Sequence, residues 1–470
     1  MRMNHNPILS FFSRHGRQVL TVLAVMTVMS GTAQPKDYIE LSDAERQLVA
    51  SNTKFAFRLI RQASEGQTDE SMLLSPLSIT YALGILNNVA TGETQQQICE
   101  VLGGDGVSVD VINGFCRKML AESVTIDKET KVMIANNLYV NSARGFVLKP
   151  LFVEKALTYY DATPETRDFH DGLTRDVINQ WASDHTEGMI KEVLKEDEFD
   201  SEVISYLLNA LYFKGVWMLP FDEAQTEERP FGTNRTAYMM MQTAEDLYYA
   251  KNDFCQSVIL PYGNGAYEMV VFLPGMDKSV DDVIEGLCNS GLATLDYDSY
   301  EVLLGLPRFK TSTDVRLENI MSQLGMPLAF TPMAEFTEFC GNEMDPNHRV
   351  FISLMKQVAK IDVNEEGSEA SAVTVIGMKD YAVMPEQRVE FIADRPFVYV
   401  IRERSTGAIF FIGLYTGEPA IAGIDDTQMT GREDEKAVVP AEAIYNLSGQ
   451  RMRTIPSHGV FVQGGKKIRR

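Results

Sequence analysis

EEGSEASAVT, residues 365–374, joins an acidic turn and a glycine to alternating small residues at the point where an apolar strand ends. A central strand ordinarily needs branched or aromatic side chains to fill its buried face, and this run supplies almost none. Side chains alternate along an extended chain, so Ser368, Ala370, Ala372 and Thr374 share one face while Glu369, Ser371, Val373 and Val375 share the other. The first face is small and nearly featureless. Such a segment can stand outside as a loop turning on Gly367, and it can also slide between strands without steric resistance. Taken alone, the ten residues read as well as a plain surface loop; what surrounds them decides.

Upstream, helical periodicity covers 43–62, 76–90 after Ser75-Pro76, 93–102, 110–122, 150–159 and 173–186. Runs rich in branched and aromatic residues follow at 207–215, 257–262, 267–274, 301–309, 350–363, 396–403 and 408–415. Helices first and strands later predicts an α+β domain with mainly antiparallel sheets. No Gly/Pro/Ser linker divides it before about residue 417. The polar, acidic stretch 418–440 reads as a linker, and 441–470 holds short apolar runs between turn residues, like a small hairpin module.

At 470 residues and 45% hydrophobic content the chain can bury a large core. Its net charge of −22 is scattered, and only the terminal KKIRR is densely basic, which disfavours nucleic acid as a partner. Arg14 and Arg17 precede the apolar run at 19–29, followed by Gly31, Thr32 and Ala33, so residues 1–33 read as an export signal cleaved after Ala33. That run is shorter than the about 20 residues a membrane span needs. Five cysteines without CxxC spacing and six histidines without HExxH leave disulfide frameworks and metal sites unsupported. Ser51-Asn52-Thr53-Lys54 fits the SxxK pattern of penicillin-recognising enzymes, and Lys310-Thr311-Ser312 loosely fits their second motif, but a chain this long meets such a pattern by chance.

Several separate stretches resemble the serpins, a family of serine protease inhibitors, over roughly 38–417. LLSPLSITYALGIL at 73–86 is similar to the family's buried helix with two serines under the main sheet. NALYFKGVWMLPF at 209–221 is similar to its signature strand, and VINQWASDHTEGMI at 177–190 to the helix across that sheet. LPRFK at 306–310 and DRPFVYVIRERSTGAIFFIG at 394–413 fit as well. The tail at 441–470 resembles short tails of exported bacterial proteins.

The resemblance implies a serpin fold over 34–417, with about nine helices on three mainly antiparallel sheets and a reactive-centre loop at about 365–393. It implies a hinge at Glu365, Glu366, Gly367, Ser368, Glu369, Ala370, Ser371, Ala372, Val373 and Thr374, and a sheet-opening cluster of Ser75, Ser78, Asn209, Gln357 and Trp217. Gln357 stands where many members carry histidine, and it too can donate and accept. Counting Glu365 as the first of seventeen places the attacked bond at Tyr381–Ala382, suited to a chymotrypsin-like pocket. Lys379–Asp380 is the alternative, suited to a trypsin-like one. The expected partner is a protease, serine or also cysteine type. The protein would act as an exported monomer, extracellular or at the surface or in the periplasm of a bacterium. No catalytic residue, metal or cofactor is expected, and no basic helix face suits a heparin-like activator.

Overall fold

A computed structural model describes residues 38–65, 70–104, 106–342, 350–368 and 388–417, together with four short strands between 444 and 469. Contacts divide the chain into two units, Met1–Pro419 and Ala420–Arg470. In the second unit, β18 (Ile444–Tyr445), β19 (Arg451–Met452), β20 (Val460–Gln463) and β21 (Lys466–Arg469) form an antiparallel sheet in the order β19-β18-β20-β21.

The helices of the first unit begin where their caps dictate. Ser42 opens α1 (Asp43–Ser64) with a capping box: Glu45 N donates to Ser42 Oγ at 3.3 Å, and Ser42 N donates to Glu45 Oε2 at 2.7 Å. Ser75 caps α2 (Pro76–Asn87), whose proline takes the first position, where no amide is needed. Every residue of α2 is buried, so it behaves as a core helix, packed on strands of both large sheets. The others are α3 (Gly92–Gly103), α4 (Val109–Glu122), α5 (Pro150–Tyr160), α6 (Leu173–Asp184), α7 (Val280–Ser290) and α8 (Glu318–Leu324). That makes eight among the described residues, against about nine implied by the resemblance. The periodicity reading missed α7 and α8.

Strands are numbered in chain order. One sheet has nine, running β1 (Met72–Leu74), β17 (Ile409–Tyr415), β16 (Phe397–Glu403), β9 (Tyr267–Pro274), β8 (Cys255–Tyr262), β7 (Arg235–Lys251), β10 (Asp298–Pro307) and β15 (Arg388–Ile392), with β6 (Glu227–Phe231) also on β7. A second has six, in the order β11 (Phe309–Arg316), β13 (Leu354–Val363), β14 (Gly367–Ser368), β5 (Ser205–Val216), β2 (Lys131–Asn141) and β4 (Glu165–Arg167). The third pairs β3 (Phe146–Leu148) with β12 (Cys340–Asn342). The run 301–309, expected as one strand, breaks at Arg308, where the chain leaves the nine-stranded sheet for the six-stranded one. Strand β2 lies between the helices read at 110–122 and 150–159, which corrects the simple order of helices before strands.

The six-stranded sheet is buried on both faces. Leu207 and Phe213 of β5 and Met355 and Ile361 of β13 join the main core with α2. Tyr206, Leu208 and Ala210 of β5 and Leu354 and Val358 of β13 point the other way, against Ile178 and Ala182 of α6.

Candidate functional site

The six-stranded sheet contains a seam. Strands β5 and β13 run parallel and pair directly over five rows, from Leu354–Tyr206 to Val358–Ala210. Further along, β14 enters between them: Ser368 pairs with Gly215 of β5 and with Val363 of β13, antiparallel to both, and Gly367 pairs with Val216. The hinge read from sequence therefore begins as a wedge already seated in the mouth of the seam.

Asn364 makes the turn that sends the chain back on itself. Its carbonyl accepts from Gly367 N at 3.2 Å, its amide donates to Gly367 O at 2.9 Å, and its Oδ1 accepts from Glu366 N at 3.0 Å. Gly367 has φ +152°, and a β-carbon there would lie 2.1 Å from Gly215 O and 2.7 Å from Val216 Cα. Only glycine fits that approach. Ser368 is fully buried and shares a 2.7 Å hydrogen bond with the Tyr262 hydroxyl. Burial pushes the Tyr262 phenol well above its ordinary pKa, against the hydrogen bond to Ser368, so it stays protonated.

Trp217 belongs to this mouth. Its amide donates to Glu366 O at 2.8 Å, its indole Nε1 donates to Asn364 O at 2.9 Å, and its ring stacks on Tyr262 with centroids 4.3 Å apart. Glu365 is buried; its carbonyl accepts from Phe221 N at 2.9 Å, its Oε1 accepts from Thr226 Oγ1 at 2.7 Å, and Arg308 Nη1 lies 3.8 Å away. Phe221, Thr226, Tyr262, Arg308 and Asn364 were not singled out from sequence. Their only shared signal is contact with the hinge, which lies more than a hundred positions away for Phe221, Thr226 and Tyr262.

The polar cluster lies beneath the parallel rows. Gln357 Oε1 accepts from Ser75 N at 2.9 Å, and its Nε2 donates to Ser75 O at 3.1 Å and to Asn209 Oδ1 at 2.9 Å. Asn209 Nδ2 donates to Ser78 O at 3.0 Å and to Asn136 Oδ1 at 2.5 Å. Ser75, Ser78, Asn209 and Gln357 thus meet in one network, with Asn136 as its fifth member. Trp217 does not join them: it stands eight residues beyond Asn209 on an extended chain, about 26 Å at roughly 3.3 Å per residue. Ser78 Oγ and Asn136 Nδ2 are buried with no hydrogen-bond partner, a costly state for polar atoms.

The remaining hinge residues Glu369, Ala370, Ser371, Ala372, Val373 and Thr374, and both candidate bonds, Tyr381–Ala382 and Lys379–Asp380, lie outside the described residues, as do 1–33. Of the enzyme-like pattern, Ser51 and Lys54 stand on α1, and Lys310 of β11 pairs with Asp362 at 2.7 Å. All five cysteines are unbridged. Among the described residues no three His, Cys, Asp or Glu side chains gather as a metal site, and no helix is long and apolar enough to cross a membrane.

Residues 50–417 match the family model described as serpin (serine protease inhibitor). The leukocyte elastase inhibitor of Sus scrofa is 31% identical over 386 residues, covering 78% of this chain and 98% of its own length. Among solved structures, the thermophilic serpin tengpin in its native state superposes with a TM-score of 0.71 at 25% identity, over 82% of this chain and 97% of its own. Arabidopsis AtSerpin1 in its native stressed conformation does so with 0.69 at 26% identity, over 80% and 98%.

Proposed function

This chain belongs to the serpin family and inhibits serine proteases, and from that premise we propose that it does so once per molecule, by completing the insertion its hinge has begun. The observation that carries the reading is the antiparallel wedge of Gly367 and Ser368 at the mouth of a parallel seam.

The register states where the rest of the loop would go. Six residues beyond Ser368 is Thr374; six back from Gly215 is Asn209, and six back from Val363 is Gln357. Thr374 therefore falls in the row of the polar cluster, among the unpartnered Ser78 and Asn136 atoms. By the same count Gly377 falls between Tyr206 and Leu354, the last parallel row, and Met378 reaches Ser205, where β5 begins. Ala370, Ala372, Thr374 and Ile376 would share the inner face with Ser368, and Val373 and Val375 the face under α6. The five parallel rows would give way to an antiparallel strand on each side, the somewhat more stable pairing per residue.

Chemistry starts the process. The protease serine attacks the Tyr381 carbonyl carbon, the bond to Ala382 nitrogen breaks, and that nitrogen leaves as the protonated amine, so Tyr381 remains an ester on the enzyme. Insertion of the freed segment then carries the ester-linked enzyme along the sheet before water can release it. Tyr381 suits a chymotrypsin-like pocket; Lys379 would suit a trypsin-like one, and a papain-like enzyme could form the corresponding thioester. The chain acts as an inhibitor rather than a catalyst, as an exported monomer, with residues 1–33 as its leader.

Mixing the protein with chymotrypsin, trypsin, elastase and a papain-like enzyme tests this. The expected result is an SDS-resistant complex with chymotrypsin, and a released peptide beginning at Ala382. Cleavage of the loop by all four with no covalent complex would overturn it.

A further inference from the structure

Lys356 of β13 is a lysine with no exposed side-chain surface, and it faces two carboxylates: Glu198 Oε2 at 2.5 Å and Asp314 Oδ1 of β11 at 2.8 Å. Asp314 Oδ2 also meets Lys195 at 2.7 Å. A buried ammonium is tolerated only when paired in this way. Glu198 ends a single 3-10 turn, Glu196–Glu198, on the segment that returns from α6 across the sheet. That segment is tied to α6 by Asn179, whose Oδ1 accepts from Val193 N and Leu194 N, both at 2.9 Å, and whose Nδ2 donates to Leu194 O at 2.9 Å.

Glu198 also reaches the opposite lip of the seam. Its carbonyl accepts from the Tyr206 hydroxyl of β5 at 3.3 Å, sharing that proton with Asp200 O at 3.2 Å, and the same hydroxyl accepts from Asp200 N at 2.7 Å. Tyr206 and Lys356 lie on the two strands that pair through Leu354–Tyr206 and Lys356–Leu208. One residue thus holds β13 by its side chain and β5 by its backbone. A strand entering between them moves the lips apart by about 4.8 Å, further than both hydrogen bonds can stretch.

We propose that Glu198, with Lys356 and Asp314, is a clasp across the seam whose release sets how fast the loop enters the sheet. The proposal rests on the insertion reading above. Val375, which the register puts beside Lys356, can reach its row only once the clasp has parted. These are positioning residues: they act on the rate of strand entry and touch no protease.

The test uses the intact protein and a labelled peptide of residues 369–378, the segment the register accommodates beyond the seated Ser368. The parent should take up the peptide slowly. Glu198→Gln and Lys356→Met should each take it up about tenfold faster, and the double variant no faster than the quicker single one, because both break the same clasp. Unchanged rates, or single effects that multiply, would overturn the clasp while leaving insertion standing. A parent that takes up no peptide and traps no protease fails the insertion reading itself, and the clasp falls with it. Should Lys356→Met not fold, Glu198→Gln paired with Tyr206→Phe carries the same non-additivity test.

Discussion

Gly367 meets the backbone of β5 so closely that a single methyl group has nowhere to go. Gly367→Ala should therefore expel the wedge, at a cost of about 2 kcal/mol by overpacking, read as a lower urea midpoint of the intact protein. Ser368 is small, as strand entry requires, and its hydroxyl is spoken for by Tyr262. Ser368→Arg would have to bury an unpaired guanidinium among Tyr262, Phe213 and Trp217, at several kcal/mol. It should leave the loop cleavable while the protease escapes, which gel analysis reads as nicked inhibitor in place of complex. Asp314 carries a separate, acid-side signature. Burial alone would raise its pKa, but Lys195 and Lys356 donate to it and hold it below its ordinary 3.8. A carboxyl depressed by folding contributes stability above its unfolded pKa, and that contribution is lost as pH falls through the folded value. Asp314→Asn should accordingly flatten the decline of stability below about pH 4, measured by urea unfolding across that range.

Among the elements, those legible in sequence are the ones whose burial is uniform. β9 and β17 are buried at every position, β17 as an unbroken apolar run and β9 as one interrupted only by Glu268, which pairs with Arg402 at 2.6 Å. β2 carries no clean strand signal because Asn136 and Asn137 interrupt its core, Asn136 accepting from Asn209 in the polar cluster. β7 carries no clean signal either, because RTAYMMMQTAEDLYYAK mixes exposed and buried positions without strict alternation. The seam between β5 and β13 is invisible in sequence altogether, since two parallel strands give no sign of which partner they choose. The sheet makes Thr374 testable as part of an element. Its hydroxyl falls among unpartnered polar atoms only after insertion, so Thr374→Val should lower the stability of the nicked form by about 1 kcal/mol and leave the intact form unchanged, as differential melting would show.

For the whole molecule, the proposed insertion makes the intact fold a stored state. Ten further residues in a central strand gain about 20 backbone hydrogen bonds at ~0.5 to 1.5 kcal/mol net each, less the parallel rows broken and the loop entropy lost. Even a remainder of order 10 kcal/mol rivals the ~5 to 15 kcal/mol that holds a typical protease together. Nicking within the loop should thus make the protein melt far higher than before. Equal melting of nicked and intact samples would remove the basis for trapping.

By itself the sequence determined the α+β plan, the small-residue face of the hinge and the family resemblance, and the cluster of Ser75, Ser78, Asn209 and Gln357 was only an implication of that resemblance. These are carried by local periodicity and by motifs that read continuously along the chain. Only the tertiary structure decided that Trp217 guards the mouth of the seam rather than the cluster, that Ser368 is already between strands, and that Glu198 joins both lips. Those facts depend on strand register and on a lysine pairing with residues 158 and 42 positions distant. No local pattern encodes such pairings, because they come into being only when the whole chain has packed.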